Sequence, residues 1–156
     1  DKHFAYLENS LAQLEFDIGD ARTLLESQVP QNFDVLIVDA FSGDAIPVHL
    51  ITSEALQLYL RHLSHTGVLA FHVSNKFLDL KPLILGLTKQ TKQAVGYIPS
   101  KEDNTHGAFE ADWVLVAKDP SFFDDKAVQA VLHPFPDYPE LIVWTDDFSN
   151  LFDLLF

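Results

Sequence analysis

Residues 33–52 read FDVLIVDAFSGDAIPVHLIT. The run VLIV at 35–38 shows no polar alternation, the pattern of a strand buried on both faces in a parallel sheet. It is followed by two carboxylates, Asp39 and Asp44, and then by Ile46-Pro47. A buried strand therefore aims Asp39 from its carboxyl end into a polar loop. Beyond the loop, Thr52 or Ser53 caps a helix, with Glu54 well placed near its positive end. Ala55, Leu56, Tyr59, Leu60 and Leu63 fall on its buried side, and Gly67 closes the connection. Residues 68–73, VLAFHV, form a second strand predicted to be buried on both faces.

The same alternation extends in both directions. Residues 14–18 (LEFDI) read as a short strand ending at Gly19-Asp20, and 21–27 as a short helix closed by Pro30. After the VLAFHV strand, Asp79 caps a helix with Pro82 in its first turn. Residues 95–98 and 113–117 read as two more strands, separated by the polar loop KEDNTHGAFEAD. A helix at 127–132, an irregular proline-rich segment at 133–139 and a strand at 141–144 complete the pattern. Alternation at this spacing predicts right-handed βαβ units in one α/β domain over residues 1–156. Ligands of open α/β sheets bind beyond the carboxyl ends of the strands. This places Gly19-Asp20, residues 39–44 and residues 74–79 on one rim.

Composition narrows the functional classes. The chain has 156 residues, 47% hydrophobic and 21% charged, which fits a folded domain with a sizeable core. A formal charge of −13 repels phosphate backbones, so no nucleic-acid partner is expected, whereas cations, including polyamines, are attracted. No apolar run approaches the roughly 20 residues that span a bilayer. With no cysteine, neither a disulfide framework nor a thiolate metal site is available, and no metal is expected. With no methionine, the chain reads as a piece of something longer.

FDIGDARTLLES, followed by FDVLIVDAFSGDAIPVHLITSEALQLYLRHLSHTGVLAFHVSN, resembles the second half of the spermidine synthase family. Within that family the chain is most similar to spermidine-synthase-like domains fused to bacterial membrane transporters, and the closing WTDDFSNL resembles their tail. The resemblance runs over residues 4–151. It implies a partial doubly wound, Rossmann-like sheet of the S-adenosylmethionine-dependent methyltransferase kind, mostly parallel, ending in an antiparallel hairpin and lacking its first two strands. It also implies a cytoplasmic polyamine-biosynthesis transferase, or the cytoplasmic domain of a membrane protein with spans upstream. Its partners would be an amine and a nucleoside cosubstrate, decarboxylated S-adenosylmethionine or S-adenosylmethionine itself, with no permanently bound cofactor.

The family's site residues carry over by motif. Asp20, with the neighbouring backbone N–H of Ala21, would meet the adenine. Asp39 matches the carboxylate ending the next strand, and Asp44 is the candidate for the second acid that takes a proton from the attacking amine. The chemistry accounts for the acids, because a protonated amine cannot attack carbon and the moving positive charge needs neutralising. Three departures stand beside these assignments. The glycine-rich turn and ribose-binding acid would lie upstream, the family's Asp-x-x-Asp is here Asp-x-x-x-x-Asp, and the aromatic loop that reads the diamine is replaced by Asn104-Thr105-His106-Gly107. The isolated chain is therefore expected to be inactive, with an unpaired sheet edge that drives homo-oligomerisation. A non-catalytic polyamine- or nucleoside-binding module of a transporter fusion and a methyltransferase on the same scaffold are the alternative readings.

Each residue also has a plainer reading. Asp20 suits an N-cap, Asp39 and Asp44 suit turns, and His72 a hydrogen-bonded core position. His62 and His65 lie at metal-compatible spacing without an acidic partner. Ser42 lacks the Gly-x-Ser-x-Gly elbow of an esterase. Asp146-Asp147 reads as a helix start or a solvated face. Phe148, Phe152 and Phe156 recur at helical spacing, a stripe expected to pack on the core.

Overall fold

The computed structural model describes residues 7–39, 47–105 and 107–155. Their elements run in the order α1 (Ala21–Ser27), β1 (Phe33–Val38), α2 (Ser53–His62), β2 (Leu63–His72), α3 (Lys81–Thr91), β3 (Ala94–Ser100), β4 (Ala111–Ala117) and α4 (Lys126–Gln129). Short 3-10 turns occupy Val48–Leu50, Pro120–Asp124 and Leu151–Leu154. The strands form one mixed sheet in the order β1-β2-β4-β3. β1 and β2 are parallel, while β4 runs antiparallel to β2 and forms the expected hairpin with β3.

Register explains the two layers. Leu36, Val38, Leu69, Phe71, Val114 and Val116 share one face and pack beneath Leu56 and Tyr59 of α2 and Leu83 and Leu87 of α3. The local chemistry of both helices supports this. Thr52 caps α2 by accepting from the Ala55 N–H, and Pro82 sits in the first turn of α3. Asp79 lies one residue before the α3 cap position and accepts from the Lys81 N–H.

On the opposite face, Val68 and Ala70 are buried. Gly96 of β3 lets the 120–132 segment lie flat there. A Cβ at Gly96 would come within 2.5 Å of Phe123 and 2.6 Å of Leu132.

The C-terminal segment completes the core. Trp144 and Leu154 are buried, and the Trp144 and Leu154 carbonyls accept from the Ser53 and Asp79 N–H groups. No strand forms at 141–144; this stretch crosses α3 as an extended segment, with the Ile142 carbonyl against Gly86.

Three further expectations are corrected. Residues 14–18 form no strand, and Ile18 is 98% exposed: among the described residues this stretch has no hydrogen-bonded neighbour in the sheet. β1 is buried on one face only, with Val35 and Ile37 61% and 57% exposed, because nothing described covers the second face at that edge. The phenylalanine stripe does not pack on the core. Phe148 and Phe152 are exposed because the tail makes a 3-10 turn instead of an α-helix, and Leu154 is buried in their place. Phe156 lies outside the described residues.

Candidate functional site

β1 and β2 end side by side. Val38 pairs with Phe71, so the next residues, Asp39 and His72, emerge together at the carboxyl rim. Asp39 Oδ1 lies 2.8 Å from His72 Nδ1. A carboxylate only accepts, so Nδ1 carries the proton and the imidazole is oriented by the acid. The His72 ring stacks on Trp113 of β4 at 4.8 Å between centroids. His72 is thus hydrogen-bonded, as expected for a strand histidine. Its partner was not foreseen, although the matching ends of VLIVD and LAFHV contain the signal.

Asp44 lies outside the described residues. Asp20 and Ala21 lie at the start of α1, and Asp20 is its N-cap. One Asp20 oxygen accepts from the Thr23 N–H and hydroxyl, and the other lies 2.7 Å from His49 Nε2. The Thr23 backbone N–H first, and His49 second, hold the Asp20 carboxyl down to about 2. Asp20 is therefore an anion throughout the physiological range. Asp39 precedes residues 40–46 and His49 follows them, so each sequence-predicted acid described here is tied to a histidine beside that segment. Asp39 is fixed to the end of β2, and Asp20 to the chain that leads into α2.

A cavity of about 490 Å³ opens beyond the end of β2, lined by Val73, Ser74, Asn75, Lys76, Lys81, Glu110 and Asp112. The Asp112 N–H donates to Ser74 Oγ at 2.7 Å, which ties β4 to the rim. At its floor, Lys81 Nζ lies 3.0 Å from Asp79 Oδ1 and 3.5 Å from Asp112 Oδ2. The Tyr138 hydroxyl donates to the second Asp79 oxygen at 2.8 Å. Burial first, and the Asp79 carboxylate second, raise the Tyr138 hydroxyl pKa, so it remains a donor. Asp79 was read from the sequence as a helix cap at the rim, whereas Lys81, Asp112 and Tyr138 were not singled out, since they come from α3, β4 and the proline-rich segment.

On the α1 side, Arg22 forks onto both oxygens of Asp146 and also binds the His49 carbonyl and Glu26. Thr52 Oγ1 adds a bond to Asp146. Arg22 holds the Asp146 carboxyl below its ordinary range, and Asp146 in turn raises the guanidinium. Asp146 is thus neither a helix start nor a merely solvated residue; it is the anchor of the C-terminal segment on α1 and α2. Among the described residues, no helix is long and apolar enough to cross a membrane.

The mixed sheet, the helical layer over it and the polar rim at the ends of its parallel strands define an α/β domain of the Rossmann-like methyltransferase fold. Spermidine synthase from Thermotoga maritima superposes with a TM-score of 0.54 at 19% identity, over 85% of this chain and 44% of that one. A probable spermidine synthase from Corynebacterium glutamicum gives 0.52 at 22% identity, over 74% and 42%. A spermidine synthase in complex with the transition-state analogue AdoDATO gives 0.52 at 19% identity, over 85% and 43%. The chain spans less than half the length of these solved structures. No family model and no curated protein sequence matches it.

Proposed function

We propose that this chain is the C-terminal part of an aminopropyltransferase-like unit that uses decarboxylated S-adenosylmethionine and an amine acceptor. The carrying observation is the Asp39–His72 pair beside Trp113 at the rim of a fold shared with spermidine synthases. In the proposed reaction the neutral acceptor nitrogen attacks the propyl carbon next to the sulfonium. The N–C bond forms as the C–S bond breaks, methylthioadenosine leaves as a neutral thioether, and the product ammonium gives up one proton. Asp39, held beside His72, stabilises the cationic centre and receives that proton, with Asp44, five residues further on, as the second acid. Asp20 and the Ala21 N–H face the nucleobase in this reading. The acidic surface raises the local concentration of amines.

The test is methylthioadenosine release by the full-length polypeptide and by this chain alone. Turnover is expected only from the former, and Asp39→Asn should lower it by about a hundredfold or more. Tighter binding of S-adenosylmethionine than of its decarboxylated form, with methyl transfer, would replace this reading with a methyltransferase. Binding of polyamine or nucleoside without turnover would establish a regulatory module.

A further inference from the structure

Lys81 is the first residue of α3, yet it is only 8% exposed. Its ammonium sits between the Asp79 and Asp112 carboxylates and 5.7 Å from the centroid of the Tyr97 ring. Tyr138 fixes Asp79, and Ser74 fixes the Asp112 backbone, so both acids are positioned from outside the pair. Two braced carboxylates and an aromatic face are the chemistry that recognises a primary alkylammonium. Here the recognised ammonium belongs to the chain itself. It stands at the floor of the cavity beyond β2, with Glu110 and Lys76 also on the wall.

We propose that Lys81 is a specificity-determining residue: its ammonium fills the cation position at the cavity floor, so the amine accepted there carries one charge rather than two. This rests on the amine-acceptor reading above and deepens it. A diamine entering with one nitrogen toward the rim would bring its far ammonium against Lys81. The Asp79 and Asp112 oxygens nearest that position are already engaged by Lys81, and like charges brought together disfavour binding. A monoamine presents only its alkyl end there.

The experiment compares n-butylamine with putrescine, its terminal diamine analogue, on the unmodified chain and on Lys81→Ala. Binding is read from NMR shifts of the Ser74 and Glu110 amides at about 0.15 M salt, which screens diffuse attraction to the acidic surface. The unmodified chain should prefer n-butylamine by at least about tenfold, and Lys81→Ala should reverse the order. Ethylammonium should also raise the Tm of the variant more than that of the unmodified chain, because it restores the missing cation. If the unmodified chain takes putrescine as well as n-butylamine, the inference fails and the amine-acceptor reading stands. The same holds if the variant keeps the original preference. If neither amine shifts the cavity residues in either protein, this cavity is not an amine site and the inference fails, while methylthioadenosine release by the full-length polypeptide still decides the amine-acceptor reading. Should Lys81→Ala not fold, the two amines on the unmodified chain decide the matter.

Discussion

Replacing Gly86 with alanine sets two effects of known sign against each other. In a helix interior, alanine is favoured over glycine by about 1 kcal/mol, so intrinsic propensity predicts a stabilised α3. The packing predicts the reverse. A Cβ at Gly86 would stand 2.0 Å from the Ile142 carbonyl oxygen and 2.9 Å from its carbon. Relief requires the backbone at 142 to retreat by about 1 Å or more, since Cβ contacts below 3.0 Å essentially never occur. Two residues further on, Trp144 is fully buried in the core and cannot follow that retreat without opening space around its ring. Overpacking of this kind costs roughly 1–3 kcal/mol, and fully removing a buried tryptophan costs about 3–5 kcal/mol. Partial undocking lies between these limits, so Gly86→Ala should destabilise the chain by roughly 1–3 kcal/mol after the propensity gain. Urea unfolding measures the loss, and Trp144 fluorescence in a Trp113→Phe background reports the undocking directly, because the chain has two tryptophans. A Gly86→Ala chain at least as stable as the original, with unshifted Trp144 emission, would refute the close approach of α3 and the C-terminal segment.

Other perturbations probe other links. His62 is fully buried and stacks on Phe33, and burial holds its pKa below the ordinary value. As pH falls through about 6.5, the unfolded chain takes a proton there that the folded chain refuses, so stability drops on acidification; His62→Leu should flatten that part of the urea-midpoint profile, and equal slopes in both proteins would exclude His62 as the cause. Arg22→Met should destabilise by roughly 1–3 kcal/mol, seen as a lower Tm. Because the Asp146 pKa is depressed in the fold, the stability it contributes is present above about 4 and is lost as pH falls further. Self-association through the β1 edge should rise with salt, which screens the net charge of −13. Replacing Val35 and Ile37 with lysine should suppress it in sedimentation velocity, whereas a concentrated, salt-independent monomer would count against an interface there.

The parts of the fold legible in the sequence are those governed by short-range pattern. α2 and α3 follow from apolar spacing and caps, β2 from a continuous apolar run, and the β3–β4 hairpin from two such runs around a polar loop. Residues 14–18 have the same local pattern as a strand, but a strand exists only with a hydrogen-bonding neighbour, and none is described beside them. Local pattern likewise marked Val35 and Ile37 as buried, although their burial depends on what lies over the second face. At the site, Asp39 was legible because it ends a strand. Lys81, Asp112 and Tyr138 were not, because their meeting depends on how α3, β4 and the 133–139 segment fold over one another. Asp146 shows the same limit, since its partner Arg22 lies more than half the chain away.

These two kinds of residue meet at the rim. The side toward α3 and β4 is braced by buried groups, including Lys81 between its acids and Trp144 in the core. Asp39 leaves an edge strand whose described backbone pairing is to β2 alone and whose second face carries the exposed Val35 and Ile37. Its described side-chain anchor is His72. Whatever covers β1 therefore restricts Asp39, and a ligand that needs Asp39 fixed binds more tightly once that cover is in place. Linkage makes the relation reciprocal: such a ligand must also strengthen the covering interaction. The acid to which the proposal gives the central role thus stands on an edge strand exposed on one face. This ties the proposed activity to the partner surface of β1 by the same argument that predicts self-association of the isolated chain.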